Sequence, residues 1–156
     1  MIRMTKMTDY AIILMTECAR HPERLIHTAR DLAEGSQIPL PTVGKILKLL
    51  AKKALLVSQR GVKGGYRLSR RPASITVAEI IIAMEGPIAL TECNTEIPGK
   101  CDLERRCSVH SNWQRINDAV RGALEMITLE EMTQGLPAPL VTIGSHRYTL
   151  KQPHCM

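Results

Sequence analysis

The chain has 156 residues, an apolar fraction of 44% and a formal net charge of +6. This length suits one domain, or one domain with an added arm, whose core must be largely aliphatic because Phe is absent and Trp occurs once. The longest apolar runs, "AIILM" and "IIIAM", are far shorter than the roughly 20 residues that cross a membrane, and the N-terminus does not resemble a signal peptide. We therefore expect a cytoplasmic protein whose five cysteines stay reduced, available for metal ligation, redox sensing or plain burial.

The first third of the chain predicts three helices, of which the last two form a helix-turn-helix. Thr8 is placed to cap a helix that ends near Ala19, and Thr28 to cap a short helix that stops at Gly35. Pro41 fits the first turn of the third helix. Two helices joined by a short polar turn, the second of them basic, are typical of a helix-turn-helix.

The segment that follows has the short, strand-like runs of a hairpin. The runs "LLVSQR" and "YRLSR" flank "GVKGG", which supplies the glycines that a hairpin turn requires. A basic hairpin directly after a helix-turn-helix is a wing. Thr76 and Glu79 then form a capping box, and the helix that they begin is expected to end at Gly86 and Pro87.

Positive charge is concentrated in the helix-turn-helix and the wing. No Asp or Glu occurs from Gly35 to Ala78, whereas nine Lys and Arg residues do. A segment of one sign and this length indicates contact with a polyanion, the alternative being chance clustering on a solvated face. Double-stranded DNA is the polyanion that suits a winged helix, and Gly44 leaves part of this surface without a side chain. The residues expected to contact DNA are Thr42, Lys45 and Lys48 of the basic helix and Arg60 and Lys63 of the wing.

A long amphipathic helix is predicted after a loop that contains three cysteines. In "HSNWQRINDAVRGALEMI" the apolar residues recur at spacings of three and four. No earlier segment looks like an intramolecular partner for so long a helix, so we expect the same helix of a second chain to cover it in a homodimer. Packing on its own domain is the alternative. Thr128 and Glu131 predict a further short helix, and the tail is expected to be mobile.

These elements predict a mainly α fold with a small β-hairpin: a winged helix-turn-helix followed by a long C-terminal dimerisation helix. We divide the chain into a DNA-binding domain at 1–87, a cysteine loop at 88–110, a dimerisation helix region at 111–134 and a flexible tail at 135–156.

The sequence resembles the Rrf2 family of bacterial winged-helix regulators, whose members include the IscR-type and NsrR-type iron–sulfur sensors. The resemblance covers residues 1–134 and rests on "MTKMTDYAI", "RGVKGGYRLSR", "ITVAEII", the three cysteines of the loop and "ITLEEM". Within the family, the sequence looks most like the regulators of Suf-type iron–sulfur cluster assembly operons. The resemblance implies a DNA-binding regulator that senses cluster or redox status.

Cys93, Cys101 and Cys107 are the expected ligands of an iron–sulfur cluster, because cluster iron prefers thiolates. Their spacing lacks the close cysteine pairs of structural zinc sites. The resemblance offers two fourth ligands. IscR-type members place a histidine three positions after the last cysteine beside a 2Fe–2S cluster, which corresponds to His110. NsrR-type members place an acid at the position of Asp9, which the partner subunit contributes to a 4Fe–4S cluster. We favour His110 and 2Fe–2S, since His110 needs no second chain.

The cysteine spacing differs from that of both types, and each candidate fourth ligand has an alternative explanation. Seven residues separate the first two loop cysteines, a longer spacing than in either type. Without a cluster, His110 is an ordinary solvent-facing histidine and Asp9 an acid that complements the helix dipole. Cys18, among apolar neighbours, is expected to be a small buried hydrophobe, and Cys155 has no assigned role.

The predicted function is that of a DNA-binding transcriptional regulator that senses iron–sulfur cluster or redox status and controls iron–sulfur cluster assembly genes. Its expected partners are operator DNA and a second copy of the chain. One alternative is a nitric-oxide-sensing repressor of the same family. Another is a metal-binding carrier that binds a polyanion other than operator DNA. Paired acids, a nucleophile motif and a phosphate loop are not found, so an enzyme is not predicted.

Overall fold

The N-terminal half of the chain folds as three helices followed by a two-stranded hairpin. The computed structural model describes residues 3–21, 24–95, 101–103 and 106–134. Helix α1 spans Lys6–Arg20, α2 spans Ala29–Ser36 and α3 spans Leu40–Lys52. Strands β1 (Leu56–Gln59) and β2 (Gly65–Leu68) pair antiparallel. The predicted helix-turn-helix and wing are confirmed.

Helix α1 begins earlier than its sequence predicts. Its N-cap is Thr5, whose hydroxyl accepts a hydrogen bond from the Thr8 backbone N–H at 3.3 Å. Thr8 is fully buried inside the helix, and its hydroxyl donates to Glu85 Oε1 at 2.5 Å. The prediction of Thr8 as the cap was therefore wrong, because this hydroxyl is used in a contact 77 residues away along the chain.

Helix α2 begins as predicted but ends later. Thr28 is the N-cap, and its hydroxyl accepts from the Asp31 N–H at 3.1 Å. The helix continues past Gly35, and the left-handed residue that ends it is Gln37, with φ 56°. The predicted stop at Gly35 was wrong. Ser36 remains helical and donates its hydroxyl to the Leu32 carbonyl at 2.5 Å.

A third backbone segment pairs with the hairpin beside β2. His27 and Tyr66 exchange two N–H···O hydrogen bonds, each of 2.8 Å. A Cβ atom on Gly65 would lie 2.5 Å from the His27 carbonyl oxygen and 2.6 Å from the Ile26 side chain. The glycine at this position is therefore required by the close approach of two backbones.

Three helices complete the described chain. Helix α4 spans Val77–Glu85, α5 spans His110–Glu125 and α6 spans Leu129–Thr133, and a 3-10 turn at Glu92–Asn94 lies between α4 and α5. The predicted capping boxes are present at the starts of α4 and α6. Among the described residues, no helix is both long and apolar enough to span a bilayer.

Helix α6 returns the chain to the winged helix. The Val77 N–H donates to the Ile127 carbonyl at 2.9 Å, and the Leu129 N–H donates to the Ile75 carbonyl at 2.8 Å. Between these bonds, Thr76 and Thr128 form an isolated β-bridge. The Leu129 side chain is fully buried in the apolar core to which α1, α3 and α4 contribute. A residue of the predicted dimerisation region thus completes the core of the predicted DNA-binding domain.

Helix α5 lies largely exposed on the surface of the described chain. It packs mainly on α4 and on the Glu92–Asn94 turn, and Asn117 is its one buried residue. Trp113 is 38% exposed and Ile116 is 46% exposed. These two members of the apolar stripe are only partly covered by their own domain.

Candidate DNA interface and metal centre

Helix α3 turns its apolar side inward and its lysines outward. Val43, Ile46, Leu47 and Leu50 are fully buried in the core. This packing fixes the rotation of the helix, so Lys45 and Lys48 are exposed on the opposite side and Thr42 is half-buried at its edge. The three predicted contact residues of this helix therefore flank or occupy its outer surface.

Gly44 lies on this surface, and packing within the described residues does not explain a glycine there. A Cβ atom added to it would meet none of their atoms within 4 Å. Glycine in a helix interior costs about 1 kcal/mol relative to alanine. Since no close approach within the described chain accounts for it, close approach by a partner remains a prediction.

The wing presents two cations beside an exposed apolar tip. Arg60 and Lys63 are exposed, and the Val62 side chain between them is fully exposed. Within the described part of the chain, neither these cations nor Lys45 and Lys48 form an ion pair. Their charge is therefore not neutralised locally, as a phosphate-binding surface requires.

The three loop cysteines differ from Cys18 in their surroundings. Cys93, Cys101 and Cys107 are half-buried free thiols. Cys18 is buried in the core, and burial, with a smaller contribution from Glu17, raises the pKa of its thiol to about 12. Cys18 is a small buried residue of the apolar core, as predicted. Cys155 lies outside the described residues.

The two candidate fourth ligands occupy very different environments. His110 is the first residue of α5, and its backbone N–H donates to the Cys107 carbonyl at 3.4 Å. Its Nε2 atom is buried and has no hydrogen-bond partner among the residues that the structure describes. A buried nitrogen without a partner is unfavourable unless something binds it. Asp9 is exposed in the first turn of α1, where its carboxylate complements the helix dipole.

The donor set suits an iron–sulfur cluster in its chemistry. Three soft thiols and an unpartnered imidazole nitrogen are the ligand types that such a cluster uses. In the ranges that the structure describes, however, no three His, Cys, Asp or Glu side chains are grouped closely enough to hold a metal ion. Residues 96–100 and 104–105 of the same loop lie outside those ranges.

A set of hydrogen bonds between the loop and α5 has no counterpart in the predictions. Asn117 Oδ1 accepts from the Leu90 N–H at 3.0 Å, and Asn94 Nδ2 donates to the Trp113 carbonyl at 3.4 Å. An asparagine on an amphipathic helix is usually a solvent-facing residue, so the sequence carries no signal for this contact.

Comparisons with known proteins agree on one family. Residues 4–135 match the Rrf2 family, described as an iron-dependent transcriptional regulator. The HTH-type transcriptional regulator IscR of Photorhabdus laumondii subsp. laumondii is 31% identical over 131 residues, which are 84% of this chain and 79% of that protein. The IscR of Vibrio cholerae serotype O1 is 30% identical over 131 residues, 84% of this chain and 75% of that protein.

Solved structures show the same fold. CymR (YrzC), the global cysteine regulator of B. subtilis, is 27% identical with a TM-score of 0.67, and the match covers 85% of this chain and 97% of CymR. T. potens IscR is 23% identical with a TM-score of 0.65, over 88% of this chain and 94% of that one. The chain therefore belongs to the Rrf2 family of transcriptional regulators.

Proposed function

We propose that this regulator binds operator DNA as a homodimer and that its DNA affinity depends on an iron–sulfur cluster, with cluster assembly genes as its targets. The observations that carry the proposal are three half-buried free thiols and a buried His110 Nε2 that has no hydrogen-bond partner among the described residues. The IscR name of the relatives and the resemblance to Suf-type regulators support the same reading.

The ligands would be three thiolates and one imidazole. His110 is favoured over Asp9 because its Nε2 is already removed from water without a partner, whereas Asp9 is exposed and would have to come from a second chain. The residues in this role are Cys93, Cys101, Cys107 and His110. A bound 2Fe–2S cluster would supply sensitivity to oxidants, nitric oxide or iron supply.

Helix α5 would couple the state of the cysteine loop to DNA binding. This helix begins at His110, and the chain beyond its end returns to the core through Leu129. Its partly exposed Trp113 and Ile116 are the proposed contacts with a second copy. In a dimer, the angle between the two α5 helices would set the distance between the two α3 helices, and half-site spacing requires a fixed distance.

The cluster is tested by anaerobic reconstitution of purified protein, with iron and sulfide counts and the visible absorption spectrum. Replacing any of the three loop cysteines with Ala should abolish the visible absorbance and make DNA affinity independent of oxidants. Cys155→Ala is the matched control, since Cys18→Ala would also leave a cavity in the core. His110→Ala and Asp9→Ala identify the fourth ligand, because only loss of the true ligand should shift the spectrum. A sulfide-free protein holding one tight zinc per chain would overturn the cluster.

The DNA surface is tested by the salt dependence of binding. Lys45→Ala and Arg60→Ala should each weaken binding and lower the salt slope by about 2, since a homodimer carries each substitution twice. Arg121→Ala is the control, since Arg121 lies on α5 and pairs with Asp118 at 3.3 Å. If both test variants kept the wild-type slope, these residues would not contact DNA.

The other assignments complete the proposal. A cytoplasmic location and the absence of enzymatic activity stay predictions. A nitric-oxide-sensing repressor of the same family would respond to nitric oxide in particular, and the rates of cluster loss under nitric oxide and under oxygen would separate the two alternatives. A metal carrier would hold the cluster but show no preference for an operator over random duplex DNA.

A further inference from the structure

Asn117 is the one buried residue of α5 among those described, and it is polar. Only 6% of its surface is exposed. A buried amide is unfavourable unless it is hydrogen-bonded, and Asn117 meets this condition by accepting the Leu90 N–H at 3.0 Å. Leu90 lies three residues before the first loop cysteine. The buried amide therefore holds the start of the cysteine loop against the middle of α5.

Asn94 makes a second contact between the same segment and the same helix. Its Nδ2 donates to the Trp113 carbonyl at 3.4 Å and to Thr91 Oγ1 at 2.8 Å. We call the Leu90–Asn117 and Asn94–Trp113 hydrogen bonds together the α5 anchor. Cys93 lies between the two ends of this anchor.

The α5 anchor gives the segment a direction along the helix. From Leu90 to Asn94 the segment advances four residues, while its partners on α5 step back four residues, from Asn117 to Trp113. Four residues correspond to about 6 Å of helix. The segment thus runs antiparallel to α5 and heads toward its first turn. His110 lies seven residues, about two turns, before Asn117, so both side chains are on the same side of the helix.

A hydroxyl close to the Cys93 sulfur belongs to the same arrangement. Thr91 Oγ1 lies 3.1 Å from Cys93 Sγ and already accepts a hydrogen bond from Asn94. A metal-ligating cysteine is a thiolate, which only accepts. With Cys93 in that state, the Thr91 hydroxyl donates to the sulfur, the kind of outer contact that orients a metal ligand.

We propose that Asn117 and Asn94 are positioning residues that hold Cys93 on the face of α5 that carries His110 before any cluster is bound. This inference rests on the proposed function for its consequence, cluster retention, but its first step concerns the metal-free protein alone. In that protein, the α5 anchor limits the access of reagents to Cys93. In the loaded protein, it slows the departure of this ligand.

The test compares Asn117→Leu, which has a similar volume but no acceptor, with Asn117→Asp, which keeps the acceptor oxygen. In metal-free protein, alkylation of Cys93 by iodoacetamide, followed by peptide mass spectrometry, should accelerate on the order of tenfold in Asn117→Leu relative to Cys101 of the same molecule. Asn117→Asp should stay near the wild-type rate. Asn112→Leu, at an exposed position of the same helix, is the matched control and should change nothing.

In reconstituted protein, Asn117→Leu should lose visible absorbance to a chelator roughly 10–100-fold faster than wild type. Asn94→Ala leaves the buried amide in place and should also speed both the alkylation of Cys93 and the loss of the cluster. This variant provides the test if Asn117→Leu fails to fold. A wild type that forms no cluster would refute the proposed function, while the alkylation rates would still decide whether the positioning exists. Equal acceleration at Cys93 and Cys101, or none at Cys93, would overturn the inference.

Discussion

Leu129→Ala tests whether α6 is part of the core of the winged helix. The Leu129 side chain is fully buried, and its backbone N–H is fixed to the Ile75 carbonyl at 2.8 Å, so the helix cannot easily shift to fill a cavity. Replacing a buried Leu by Ala costs about 2–5 kcal/mol, and we expect about 3 kcal/mol here. Against a total stability of about 5–15 kcal/mol, this corresponds to a melting temperature lower by about 10 °C.

The assay is urea unfolding followed by circular dichroism, together with the thermal midpoint. Met132→Ala is the matched control, since Met132 lies on the same short helix and is 38% exposed. Its loss should be below about 1 kcal/mol because a half-exposed side chain leaves little cavity. If Leu129→Ala and Met132→Ala lowered the unfolding free energy equally, the packing of α6 on the core would be refuted.

Four further predictions each concern a single residue. Gly65→Ala forces a Cβ against the His27 carbonyl and should lower the unfolding free energy, measured by urea titration, by about 1–3 kcal/mol. In the same assay, Gly44→Ala should raise the unfolding free energy by about 1 kcal/mol. A simultaneous loss of DNA affinity in Gly44→Ala would indicate that the duplex approaches this position closely. Iodoacetamide at pH 8 should leave Cys18 unmodified in native protein, because burial raises its thiol pKa to about 12, and mass spectrometry that found it labelled as fast as the loop cysteines would contradict this. Burial, and then the nearby Arg24, lowers the pKa of His27 below 6.5. The contribution of His27 to stability is therefore present above pH 6.5 and is lost as the pH falls through the lowered pKa. His27→Gln should reduce the pH dependence of the urea midpoint in that range.

Local signals in the sequence predicted the elements whose causes are themselves local. The capping boxes at Thr76 and Thr128 need only residues three positions apart. The glycines before Tyr66 likewise predict the turn of the wing. The apolar stripe of α3 likewise predicts which side faces the core, and therefore which lysines are exposed.

Contacts between distant residues were not predictable in this way. The sequence predicted Thr8 as the cap, but the distant Glu85 carboxylate binds the Thr8 hydroxyl, and Thr5 caps the helix instead. Asn117 likewise looks like a solvent-facing residue until the Leu90 N–H is placed against it. The three loop thiols were predicted to be cluster ligands from their residue type and from the family resemblance. Residues 96–100 and 104–105 of their loop lie outside the residues that the structure describes.

The β-bridge between Thr76 and Thr128 joins the two ends of the intervening chain, which therefore forms a closed loop. The chain between these two residues contains α4, which packs in the core, followed by the cysteine loop and α5, and it returns to the bridge where it began. Because both ends are fixed, the entropic cost of closing this loop rises slowly with its length, and even doubling the length costs about 0.6 kcal/mol. Inserting two residues between positions 97 and 98 should therefore leave the urea midpoint of the metal-free protein nearly unchanged. We therefore expect the seven residues between Cys93 and Cys101 to cost the DNA-binding unit little stability.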